Sequence, residues 1–106
     1  MTIGPGYISH VGIRARNYEA MLVWYEQVMG AEIRHQNDFL AFMTFDDEHH
    51  RMVIFTVPDT VERPPTANGI DHIGYGVRDH GHLVEIYERL RDMGVPPFGY
   101  DFDPKN

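Results

Sequence analysis

From Tyr7 to Ala15 apolar and polar residues alternate, which predicts a β-strand. Ile8, His10, Gly12 and Arg14 share one side of it, and Ser9, Val11, Ile13 and Ala15 the other. The period then lengthens. Tyr18, Met21, Leu22, Tyr25, Val28 and Met29 form one stripe at helical spacing. Asn17 suits the N-cap of that helix and Gly30 its C-terminal stop. Three short strands are predicted next, over Ala31–Gln36, Phe39–Phe45 and Arg51–Val57. Asn37-Asp38 and the polar run Asp46–His50 separate them as turns. The first half therefore reads β-α-β-β-β.

The segment Pro58–Asn68 holds three prolines and reads as a linker. After it the pattern restarts. Gly69–Val77 is a predicted strand, Asp79 an N-cap, and Leu83, Ile86, Tyr87, Leu90 and Met93 a helical stripe ended by Gly94. Sliding the chain by 62 residues superimposes His10 on His72, Gly12 on Gly74, Arg16 on Arg78, Tyr25 on Tyr87 and Glu26 on Glu88. These five identities fall within 17 positions, where average residue usage predicts about one. The predicted organisation is a first module over 1–57, a linker over 58–68 and an incomplete second module over 69–106. The fold class is α+β, built from paired βαβββ modules, the second truncated after its β-α. Three missing strands leave a sheet edge open, so the chain is expected to be a fragment or a homo-oligomer.

Composition narrows the chemistry. There is no cysteine, which excludes disulfides, zinc fingers and thiolate clusters. Any metal must bind through His, Asp, Glu or Tyr. The formal charge of −7 disfavours nucleic acid. Apolar runs such as Met52–Val57 fall far short of a membrane span, and Met1–Gly6 has no signal-peptide pattern. A cytoplasmic protein is the simplest expectation.

Seven histidines stand against that background. His10 and His72 occupy equivalent repeat positions, each followed two residues later by glycine. Quasi-symmetric strands could bring both imidazoles to one metal. The competing reading is two buried histidines bonded to backbone carbonyls. His49 and His50 precede the third strand after the polar turn, where a histidine can serve as general acid or base or simply face solvent. His35, His80 and His82 read as surface. Two histidines do not complete a two-His, one-carboxylate site. Asp71 adjoins His72 and, in a strand, faces away from it. Asp101 and Asp103 in the terminal tail are the remaining donors.

These residues resemble the vicinal-oxygen-chelate superfamily of glyoxalases, bleomycin-resistance proteins and extradiol dioxygenases, over Tyr7 to about Phe98. Ser9-His10-Val11 and Ile70-Asp71-His72-Ile73 resemble the strands that carry the two iron-ligating histidines of the extradiol type. Asp47-Glu48-His49-His50-Arg51-Met52 resembles its paired-histidine stretch. The resemblance implies His10 and His72 as metal ligands and His50 as the acid/base. It implies Fe(II), with Mn, Zn or Ni as alternatives, and a catecholic aromatic substrate cleaved with O2. The family's third ligand is a glutamate on a last strand, expected beyond Asn106. Two other readings stay open. One is a glyoxalase-like isomerase or thiol transferase. The other is a non-catalytic module whose pocket is lined by Trp24, Phe55 and Tyr75.

Overall fold

The computed structural model describes residues 2–95, and the tail carboxylates Asp101 and Asp103 lie outside them. The chain divides into two units, Met1–Ala67 and Asn68–Asn106.

The first unit contains β1 (Val11–Arg14), α1 (Tyr18–Met29), β2 (Glu32–Gln36), β3 (Leu40–Thr44) and β4 (Met52–Phe55). This is the predicted βαβββ order, in a mixed α+β fold. The strands form one sheet in the order β1-β4-β3-β2, with β1 parallel to β4 and the other pairs antiparallel. α1 carries the chain across the sheet between β1 and β2. Its stripe lays Tyr18, Leu22 and Tyr25 into one cluster with Ala41, Met43, Met52 and Ile54, the last four fully buried. Fully burying Met43, Met52 or Ile54 contributes about 1.5–3 kcal/mol each.

Local chemistry sets the corners. Gly30 takes the left-handed conformation (φ 62°), and its amide and that of Ala31 reach Tyr25 O. Asn17 stands at the N-cap but makes no side-chain cap bond. Asn37 shapes the β2–β3 turn, because its Oδ1 accepts from the amides of Phe39 and Leu40 at 3.0 and 2.9 Å. The Tyr18 hydroxyl donates to Asn37 O at 3.0 Å, joining the turn to the helix. Burial raises the Tyr18 pKa, helped by Asp38 and Glu19.

β1 is shorter than the alternation predicts. Among the described residues its one partner is β4, whose ladder begins at Val11 opposite Met52. Residues 7–10 precede any ladder partner, so His10 stands at the entrance of β1 and not in its middle.

In the second unit the described residues form one helix, α2 (His80–Asp92). Asp79 caps it, its side chain accepting from the His82 amide at 2.9 Å. At the other end the amides of Gly94 and Val95 reach Arg91 O and Leu90 O, a Schellman closure with Gly94 at φ 75°. The predicted strand Gly69–Val77 does not form. A strand needs a ladder partner, and the described part of this unit contains none. α2 buries no residue. No helix among the described residues is long and apolar enough to cross a membrane.

Candidate functional site

The sheet of the first unit has two unlike faces. Val11, Ile13, Ala41, Met43, Met52 and Ile54 turn toward α1. The alternate residues face away from it: Gly12 and Arg14 on β1, Val53 and Phe55 on β4, Phe42 on β3. The register Gly12–Val53–Phe42–His35 runs straight across this open face. A Cβ on Gly12 would meet only Phe55, at 3.9 Å, so the glycine leaves the centre of the face shallow. The Arg14 guanidinium lies over the Phe55 ring at 5.4 Å.

Four histidines gather at one end of that face. The His10 and His50 rings have centroids 4.6 Å apart. His50 stacks on Phe42 (4.7 Å, 21° between planes). His49 meets Phe42 edge-on at 5.8 Å, and His35 tilts against it at 5.7 Å. His49 Nδ1 and His50 Nδ1 are 2.9 Å apart, so one carries a proton and donates it to the other. Phe42 is the apolar floor on which the imidazoles rest. It fixes the plane of His50, and the Nδ1 contact fixes its rotation.

The cluster governs protonation. Burial lowers the His50 pKa below its ordinary 6.5, and the neighbouring His10 and His49 lower it further, against an opposing pull from Glu48. His50 is therefore neutral near pH 7, the form that accepts a proton or a metal.

Arg51 ties the site to the frame. Its Nε donates to both carboxylate oxygens of Asp46 at 3.1 and 2.9 Å. Its Nη1 donates to Ile8 O and Ser9 O at 3.1 and 3.0 Å. Asp46 in turn accepts from the Glu48 amide and from the Thr44 hydroxyl. Partial burial pushes its carboxyl up, but the Glu48 amide, the Arg51 guanidinium and Thr44 outweigh that and hold it below the usual 3.8.

His72 belongs to the second unit. Its ring is 84 % exposed, and Nδ1 lies 2.8 Å from Asp71 Oδ2. An ionised carboxylate only accepts, so Nδ1 donates, and Nε2 is the ring nitrogen this contact leaves for a ligand. The expectation that Asp71 faces away from His72 rested on a strand that does not form. His10 and His72 are both exposed, which removes the reading of two buried histidines. His35, His80 and His82 are exposed as well. Trp24 sits on α1, behind the sheet and away from the open face.

Among the described residues no group of three or more His, Asp or Glu side chains could hold a metal. The available donors still suit a divalent metal in kind. His10 presents an exposed imidazole beside His50, His72 has the carboxylate-backed ring common among metal-bound histidines, and no thiolate is present. Arg51 and Phe42 were not assigned roles from the sequence. The parallel β1–β4 register, which places Arg51 beside His10, is the signal that finds the arginine.

Comparison with known proteins agrees with the resemblance seen in the sequence. The model of the Glyoxalase/Bleomycin resistance protein/Dioxygenase superfamily matches residues 7–97. Biphenyl-2,3-diol 1,2-dioxygenase 2 of Rhodococcus globerulus is 37 % identical over 98 residues, covering 92 % of this chain and 51 % of that protein. Biphenyl-2,3-diol 1,2-dioxygenase 3 of the same organism is 34 % identical over 99 residues, covering 92 % and 52 %. The chain thus spans about half the length of the curated relatives it matches. Lactoylglutathione lyase from Agrobacterium tumefaciens shares the fold, with a TM-score of 0.63 at 18 % identity over 94 % of this chain and 79 % of that one.

Proposed function

The chain belongs to the Glyoxalase/Bleomycin resistance protein/Dioxygenase superfamily, and on that premise we propose that it serves an extradiol, non-haem Fe(II) dioxygenase that cleaves a catecholic ring with O2. The observation that carries this reading is the packing of His10 against His50 on the open sheet face. It puts a candidate metal ligand beside a candidate base. The similarity to two biphenyl-2,3-diol dioxygenases supports the same chemistry.

His10 and His72 would hold the iron, His72 through Nε2. Bound there, Fe(II) supplies charge neutralisation and a common site for diol and O2. His50 acts on protons. Its Nδ1 is engaged by His49, so Nε2 is the atom that takes a proton from a catechol hydroxyl and later returns it. Its lowered pKa keeps it ready to accept at neutral pH. Phe42 and Phe55 give the face an apolar surface suited to an aromatic ring. The partners are then a small aromatic diol and O2.

The test is aerobic incubation of chelator-free, iron-loaded protein with 2,3-dihydroxybiphenyl, read as oxygen uptake and a yellow ring-opened product. His72→Ala should lose both iron and activity. His50→Ala should keep iron and lose about 10²–10⁴-fold in kcat. Iron retained at the wild-type level in His72→Ala overturns the ligand assignment. Zn or Ni retained with no oxygen uptake replaces the dioxygenase with a glyoxalase-like enzyme.

A further inference from the structure

We propose that Arg51 is the positioning residue that holds His10 against His50. The inference rests on the reading of these two histidines as ligand and acid/base. His10 lies before the β1–β4 ladder, and His50 lies in the turn that leads into β4. Backbone pairing ends one residue past each of them, where Val11 N donates to Arg51 O, and holds neither His10 nor His50 itself. The Arg51 guanidinium spans both segments. One side grips Asp46 with paired bonds, and the other grips the carbonyls of Ile8 and Ser9, 43 and 42 residues away in sequence. Those carbonyls, just ahead of His10, thus gain a side-chain partner where the ladder has ended.

The grip is anchored at both ends. Asp46 is held by the Thr44 hydroxyl at 3.2 Å and the Glu48 amide at 3.0 Å, and Thr44 is a buried residue of β3. Arg51 itself is fixed through its backbone, with Arg51 N donating to Met43 O at 2.7 Å and Val11 N donating to Arg51 O at 3.0 Å. Its side chain is only 22 % exposed, unlike the freely solvated pairs that contribute almost nothing. The Tyr7 ring covers it, with Arg51 Cζ 5.6 Å from the ring centroid. A planar fork can serve two acceptors on different segments at once, whereas a lysine ammonium is a single point.

The experiment is NMR of the metal-free chain with labelled histidine rings, comparing wild type, Arg51→Met and Arg51→Lys. Arg51→Met is expected to lose the His10–His50 ring contact while keeping the Met43 and Ile54 core contacts, and Arg51→Lys is expected to weaken it. Apparent Co(II) affinity should fall about 10-fold in Arg51→Met, the cost common for partners behind a metal ligand. An unchanged His10–His50 contact in Arg51→Met overturns the proposal. Where that variant does not fold, an unchanged contact in Arg51→Lys overturns it, and failure of both to fold makes Arg51 a general stability determinant, which also overturns it. A wild-type chain that takes up no metal ends the dioxygenase reading and leaves the NMR comparison standing.

Discussion

The two units carry matching sequence patterns and arrive at different structures. His10-Val11-Gly12 and His72-Ile73-Gly74 occupy equivalent places before equivalent helices. In the first unit Val11 and Gly12 enter β1, because β4 offers them a ladder and α1 covers the apolar side. In the second, residues 69–77 form no strand and α2 buries nothing. Alternation is a capacity for strand structure, and the partner decides whether that capacity is used.

The largest effect expected from this contrast is in the core. Met52→Ala should cost about 2–5 kcal/mol, because Met52 is fully buried between α1 and the sheet. Leu90→Ala on α2 should cost well under half as much, measured by urea unfolding of both variants. Equal losses would show that α2 is packed as tightly as α1. Hydrogen exchange sharpens the same contrast: amides of β3 and β4 should be the slowest, and those of 69–77 should exchange fast for want of a ladder.

The helix caps give a smaller contrast in the opposite sense. Asp79→Ala removes a real capping bond and should cost about 0.5–2 kcal/mol of helix stability. Asn17→Ala removes no side-chain cap bond, so thermal unfolding should barely register it. A comparable loss at Asn17 would mean that its side chain caps α1 in solution.

The smallest effect is a pH dependence. His50 has a lowered pKa in the folded chain, so the unfolded chain binds its proton more readily. Stability is full above the unfolded value of about 6.5 and is lost as pH falls from there through the folded pKa. His50→Asn should flatten that decline, read as the difference in urea midpoint between pH 7.5 and 5.5. An identical decline in the variant would place the proton elsewhere in the cluster.

Much of the first unit is legible in its sequence. The phase of Val11, Ile13 and Ala15 against Gly12 and Arg14 gives the inner and outer faces of β1. The stripe from Tyr18 to Met29 gives the helix, and Gly30 its end. Local periodicity and turn chemistry suffice there because burial rewards what the pattern already prefers. The site is less legible. His50 stands out beside an acidic turn, but its contacts with Phe42 and His10 join three separate stretches of chain. Nothing in the spacing of Arg51 shows that it reaches Ile8 and Ser9.

The sequence by itself determined the element order of the first unit, the sidedness of its strands, the absence of thiolate chemistry and the matched positions of His10 and His72. The tertiary structure alone decided that β1 pairs in parallel with β4. That pairing sets Arg51 beside His10 and brings the His10 and His50 segments to one end of the sheet. Local preferences act over a few residues, whereas a site is made of contacts between residues some forty positions apart, and only the folded sheet sets those distances.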